Sequence, residues 1–345
     1  MARKLASRTQ LIRSYLINCI RNGHRQDLVL VASTAFNISR QSIHKHLSAL
    51  VKEKRLIATG KTRSRVYALG PVRTHFAQYQ LVGLDEHVVY RNEFSFVFEG
   101  LPESVTEIIH YGFTEMVNNA IDHSDGESVI INAERDENKV LIQIIDDGEG
   151  IFKRIARIFQ LSDPRESILE LSKGKLTTDP ENHTGEGIFF SSRSFDYYHI
   201  RSGDLCFTHD INYKHDYLLH NDEDIKGTGV LMELAINSKK NLGEIFDEYS
   251  GGPDEYRFEK TVVPVRLALY EGETLVSRSQ AKRILNRVER FKAVILDFKG
   301  VDKIGQGFAD EAFRVFVNEH PTIKLVPVNT TKTIDKMISR VKDDG

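Results

Sequence analysis

Residues 113–124 read FTEMVNNAIDHS, and the fold turns on how this stretch is read. Its apolar spacing is that of an amphipathic helix. The same helix also carries Glu115, Asn118, Asn119, Asp122 and His123, on turns where a core is expected. Glu115 and Asn119 are four apart and so share a face. Either this face is solvated or it lines a reaction site, and the neighbouring segments bear on which.

Three glycine-containing segments follow in order. The strand-like run KVLIQI leads into IDDGEGI (145–151). A polar stretch then gives HTGEGIFFSSRSF (183–195), a glycine turn entering a helix. Finally KGTGVLMEL (226–234) sets Thr228 at the entry of an apolar strand. Taken singly each is weak, since DGxG is often a hairpin turn and GEG a loop. No GxxxxGK[ST] occurs, so a P-loop is not available. In this order and spacing, over roughly residues 80–240, the segments resemble the GHKL ATP-binding domain of gyrase, the large heat-shock chaperone, histidine kinases and mismatch-repair ATPases. TEMVNNAIDHS and DDGEGI look most like the small anti-sigma-factor serine kinases.

That resemblance implies ATP and Mg2+ as cofactors. The Asn119 amide oxygen is then a magnesium ligand, a hard donor for a hard cation. Glu115 takes a proton from an attacking water or hydroxyl. Asp146 accepts from the adenine amino group, and Gly148 and Gly150 let backbone pass close to the nucleotide. Gly185 and Gly187 precede a helix whose first amides hold phosphate. Thr228 supports Asp146. Residues 152–184 occupy the place of the family's nucleotide lid, and Lys173 and Lys175 would reach phosphates as it closes; the alternative for each is a solvated loop lysine. Asn118 and Asp122 read as supporting residues, His123 as a phosphate contact or a local cap, and His110 as packing.

The charge is unevenly spread. Residues 1–70 hold fourteen Lys and Arg against Asp27 and Glu53, a balance of +12 in a chain of net charge −2. An anionic partner for this part alone is the implication. Helical spacing is predicted over 7–22, ended by Asn22-Gly23, and again from Leu28 to Phe36. Ser39 is placed to cap a third helix reaching about Lys54. ATGKTRSRVYAL then reads as two short strands around a basic turn. Three helices and a basic hairpin resemble a winged helix-turn-helix. DNA is its expected partner, with Arg40, Gln41, His44 and Lys45 facing bases and Lys61, Arg63 and Arg65 facing phosphates. A helical protein-contact module with a solvated basic face is the alternative.

Beyond GGPDEY (251–256) strands and helices alternate: TVVPVRLAL, SQAKRILNRVERF, KAVILDF, GFADEAFRVFVNEH, KLVPVN and TIDKMISRV. A small α/β sheet is implied. LDFKGVDKIGQGFADE resembles the STAS-like domains of anti-sigma-factor antagonists. Those carry a phosphorylatable Ser where this chain has Gly305-Gln306-Gly307, so an internal phospho-switch is not expected there.

The reading is a multidomain α+β chain: winged helix (1–70), GHKL α/β sandwich (71–250, lid about 152–184) and small STAS-like α/β domain (251–345). Cys19 and Cys206 are far apart and lack CxxC spacing, which points to neither disulfides nor zinc. No apolar run approaches a membrane span, and a cytoplasmic location follows as an expectation. The expected function is a regulatory ATPase coupling nucleotide state to DNA, to a regulatory protein or to homodimerisation. A protein serine/threonine kinase and a non-enzymatic transcription factor with ATP as ligand are the alternatives. A histidine autokinase has little room for its paired helices.

Overall fold

The computed structural model describes residues 8–23, 27–61, 65–176, 185–212, 215–252, 255–269 and 273–343. Helices α1 (Arg8–Arg21), α2 (Leu28–Phe36) and α3 (Arg40–Lys52) close around Ile12, Leu16, Ile20, Ala32, Ile43, Leu47 and Leu50. Gly23, at φ +78°, ends α1 in a conformation that glycine adopts without strain. Ser39 Oγ accepts from the Ser42 amide at 3.2 Å and caps α3. β1 (Leu56–Thr59) and β2 (Val66–Leu69) follow as an antiparallel hairpin. This core is separate from the one that runs through the rest of the chain. Polar contacts join the two: Arg21 Nη2 donates to Asn92 O at 2.6 Å, and Arg55 Nη2 to Thr74 Oγ1 at 2.9 Å.

β3 (Arg73–Gln80) opens the main sheet. α4 (Glu86–Val89), a π turn (Tyr90–Phe94) and α5 (Ser95–Phe98) lead into α6 (Glu103–His123), the helix that holds the opening sequence. β4 (Ser128–Arg135) and β5 (Lys139–Asp146) come next, then α7 (Ile151–Phe159), α8 (Glu166–Lys173) and α9 (Gly187–Ser194). β6 (Tyr197–Asp210) and β7 (His215–Ala235) complete an antiparallel sheet of order β3-β4-β5-β7-β6. α6 lies across β5 and β7 and buries Ile108, Ile109, Phe113, Met116 and Val117. Gly112 is required at this crossing, because a Cβ there would sit 2.3 Å from the Phe195 ring. β7 starts well before the apolar run expected at 226–234. Its pairing with β6 slips between Ser202 and Leu205, whose partners are Thr228 and His220.

After α10 (Leu242–Tyr249) and the short pair β8 (Ser250–Gly252) and β9 (Glu255–Phe258), the chain builds a second sheet. β10 (Lys260–Pro264), β11 (Ala293–Asp297) and β12 (Lys324–Val328) are parallel and adjacent. They are connected and flanked by α11 (Arg278–Leu285), α12 (Gln306–Asp310), α13 (Phe316–Glu319) and α14 (Lys332–Asp343), as parallel pairing requires. Two elements are shorter than their patterns predict. TVVPVRLAL is extended only to Pro264 and then makes a 3-10 turn at Val265–Ala268. α11 stops at Leu285 because Arg287 takes φ +62°. Buried apolar side chains form one continuous cluster from the main sheet into this C-terminal module. Among the described residues no helix is long and apolar enough to cross a membrane.

Candidate functional site

β5 reads KVLIQIID, and its alternation turns Val140, Ile142, Ile144 and Asp146 to the buried face. Three of these join the core. The fourth, at the strand end, brings a carboxylate to the wall of a cavity of about 290 Å³. Glu115 and Asn119 enter that cavity from successive turns of α6, and Gly185, Gly187 and Thr228 also line it.

Asp146 is held by the two backbone segments that flank it. Its Oδ1 accepts from the Gly148 amide at 2.9 Å and the Thr228 amide at 3.1 Å. Thr228 Oγ1 in turn accepts from the Ile151 amide at 3.0 Å, tying β7 to the start of α7. Burial raises the Asp146 carboxyl above its ordinary 3.8, against the lowering effect of the two amides. Asp147 faces away from the cavity. Its Oδ1 takes the Glu127 and Ser128 amides at 2.8 and 2.9 Å and so fixes the start of β4. Gly148 and Gly150 do not line the cavity; they allow the turn beneath it. A Cβ on Gly148 would lie 2.0 Å from Ser124 O, so this turn is laid directly on the end of α6. Gly227, which the sequence motifs do not single out, is needed equally, since a Cβ there would lie 2.1 Å from Asp146 O.

Glu115 lies against the second glycine turn. A Cβ on Gly187 would come within 1.9 Å of Glu115 Oε2, so any other residue at the start of α9 would displace the carboxylate. Asn119 lines the cavity, and its Nδ2 lies 3.8 Å from Met116 Sδ. Asn118, His123, Arg154 and Glu186 also line the cavity, with Leu171 and Leu176 as apolar wall. Asp122 is exposed and lies outside it. His110 is a packing residue: its ring stacks on His87 at 5.5 Å and meets the edge of Tyr90 at 4.6 Å. Among the described residues no group of three His, Cys, Asp or Glu is set to hold a metal.

Lys173 and Lys175, expected as phosphate contacts, do not line the cavity. Lys173 is 2% exposed and faces the C-terminal module. Its ammonium pairs with Glu170 at 2.6 Å and donates to Asn286 O at 2.8 Å and Arg283 O at 3.4 Å. Lys175 Nζ donates to Arg290 O at 3.2 Å and sits 4.9 Å from the centre of the Phe291 ring. Within the segment expected to be a nucleotide lid, the described part is thus buried over α8 and mixed before it. Ser167 through Lys173 of α8 are all buried.

On the N-terminal module, Arg40, Gln41, His44, Lys45, Lys61 and Arg65 are all exposed, on α3 and beside the hairpin. Arg63 lies outside the described residues.

Comparison with known families bears on the C-terminal module. Residues 280–335 match the STAS-like domain of unknown function DUF4325. The match runs from within α11 past β12 into α14, so β11, β12 and their helices form a STAS-like domain, which β10 extends by one strand. No curated protein matches the chain.

The C-terminal module holds the end of α8 by backbone as well as by side chains. Thr261 Oγ1 donates to Lys173 O at 2.6 Å, and Arg290 Nη1 to Lys175 O at 2.6 Å, answering the Lys175 bond to Arg290. The Arg287 guanidinium lies 3.6 Å from the Phe159 ring centre at the end of α7. Thr261 is near the start of β10, whereas the Gly305-Gln306-Gly307 turn follows the end of β11. Because these strands are parallel, clasp and turn occupy opposite ends of the domain. A Cβ at Gly305 would lie 2.8 Å from Val276 Cα, so a serine there would need the backbone to move.

Proposed function

We propose that this chain is an ATP-binding regulatory protein of GHKL type. Its nucleotide cavity is coupled to the STAS-like domain through α8, and its N-terminal module is a DNA-binding winged helix. One observation carries the nucleotide reading: a buried strand-end carboxylate shares a single cavity with Glu115, Asn119 and a glycine turn that opens a helix. The fit to ATP is local and specific. Asp146 Oδ1 accepts from two backbone amides, and a carboxylate has further acceptor capacity for a ligand's N–H, as an adenine amino group supplies. Gly185 and Gly187 both line the cavity at the start of α9, where a helix N-terminus favours an anion.

Bound MgATP supplies a γ-phosphoryl group open to attack. Asn119 oxygen would hold the cation, and Glu115 would orient the attacking O–H and take its proton. Tyr111 remains a neutral phenol, because burial and the nearby Glu115 and Glu186 carboxylates raise it. The experiment uses the full chain with γ-labelled ATP and magnesium. Free phosphate is expected, with Glu115→Gln slower by about 100-fold or more. Unchanged turnover in that variant removes Glu115 as base. Label on a partner hydroxyl would make the protein a kinase, and tight binding without turnover would make ATP a ligand only.

The DNA reading rests on the +12 balance and on the exposed basic face of α3. DNA affinity is expected to fall about 100-fold between about 50 and 200 mM salt if roughly four phosphates are neutralised. A Lys61, Arg63 and Arg65 triple alanine variant should flatten that dependence. Full DNA affinity in the triple variant would refute the wing assignment.

A further inference from the structure

The cavity is short of positive charge for the ligand just assigned to it. Three carboxylates line it, from Glu115, Asp146 and Glu186, and Arg154 is the one permanent cation among its described lining residues. The chain from Gly174 to Gly187 does not make up the deficit. GKLTTDPENHTGEG contains Lys175 as its only Lys or Arg, against three acids. Lys175 donates to Arg290 O and lies beside the Phe291 ring, on the STAS-like domain.

Arg154 stands on the first turn of α7, four residues after Gly150, with its amide bonded to Gly150 O at 3.0 Å. Its side chain is 15% exposed, and one Nη1 hydrogen engages the Asp125 carboxylate just past the end of α6. Asp125 itself is 64% exposed. Arg154 Nε is buried and has no hydrogen-bond partner among the described residues. Guanidinium has five N–H donors in a fixed fork, and a buried donor left unpaired is costly. An arginine held by one exposed carboxylate, with further donors at a cavity wall, suits exchange onto an anion.

We infer that Arg154 is the residue that binds the nucleotide's phosphate chain, at the end nearest the nucleoside, with Asp125 holding it in place until the anion arrives. This rests on the ATP reading above. The position along the chain follows from the turn that carries Arg154. Ile151, at the start of the same helix, lines the cavity and is tied through Thr228 to Asp146, whereas Gly187 lies against Glu115. ADP and ATP should therefore depend on Arg154 equally, and adenosine not at all.

The test is calorimetric titration of the full chain with adenosine, ADP and ATP, with magnesium present. Arg154→Gln should weaken ADP and ATP alike by about 10- to 100-fold, the range of a lost charge-assisted hydrogen bond, with adenosine unchanged. Arg154→Lys should recover part of that loss, and Asp125→Asn should tighten ADP binding by releasing the guanidinium. An equal loss for adenosine, or an Asp125→Asn loss matching that of Arg154→Gln, would show that the pair only holds α7 to α6 and overturn the assignment. Unchanged ADP binding in Arg154→Gln would overturn it too, and would leave the nucleotide reading standing. A wild-type chain that binds neither ADP nor ATP would refute both.

Discussion

Asp146→Asn should leave the chain folded and raise the dissociation constant for ATP at least about 100-fold. The substitution is close to isosteric, and the Asn oxygen can still accept from the Gly148 and Thr228 amides, which take Oδ1 at 2.9 and 3.1 Å. The amide nitrogen then stands where the second carboxylate oxygen stood. Against the adenine amino group this sets donor against donor. One charged acceptor is lost and two N–H groups are left unpaired in a buried site, together about 3 kcal/mol or a hundredfold. Thermal unfolding and ATP titration measured on the same sample check both halves. A melting temperature near wild type with intact ATP affinity would remove Asp146 from adenine recognition. Protonation of the wild-type carboxylate creates the same wrong donor. Since burial raises its pKa above 3.8, ATP affinity should be present above that raised value and be lost as pH falls through it. The Asn variant should show no such titration.

Asp146 drew attention through the resemblance of its D-x-G-x-G, and a period of two, which is a local property, accounts for the side it faces. KVLIQIID places Val140, Ile142, Ile144 and Asp146 on one face, and the same count sends Asp147 to the opposite side, where it fixes the Glu127 and Ser128 amides. Glu115 and Asn119 were legible for the same kind of reason, a helical spacing of four. Gly227 was not, because its need arises from Asp146 O, a backbone atom of a strand more than eighty positions earlier. Arg154 was hidden by its setting: FKR after a glycine turn has the look of a solvated basic helix, and only the end of α6 makes it a cavity residue. α8 misled most. ESILELSK has one apolar stripe and one polar face, and a sequence read alone gives the polar face to solvent. The STAS-like domain covers that face with carbonyl oxygens from residues 283 and 286, which no local pattern in 166–173 announces.

Lys173→Met should destabilise the chain by about 3–5 kcal/mol, the cost of orphaning one member of a buried ion pair. The ammonium has three N–H groups and three acceptors: Glu170 at 2.6 Å, Asn286 O at 2.8 Å and Arg283 O at 3.4 Å. Two of these are carbonyls at the C-terminal end of α11, where a cation is favoured by the helix dipole. Methionine fills the volume but leaves Glu170, 3% exposed, with a buried and uncompensated charge. Changing Glu170 to Met as well removes that charge, so the double variant should regain at least half of the lost stability in denaturant titrations. ATP affinity should follow the same course, falling in Lys173→Met and recovering in the double variant. Lys173 does not reach the cavity, but Leu171 and Leu176 on either side of it line the wall, so a loosened α8 loosens that wall. A lysine that touched phosphate would behave differently, because removing Glu170 could not restore a lost ligand contact. ATP affinity that stays low in the stable double variant would return Lys173 to the nucleotide. Recovery would mean that the STAS-like domain acts on the cavity through this clasp, and that whatever binds the domain's far end, at the Gly305-Gln306-Gly307 turn, has a rigid path to the nucleotide.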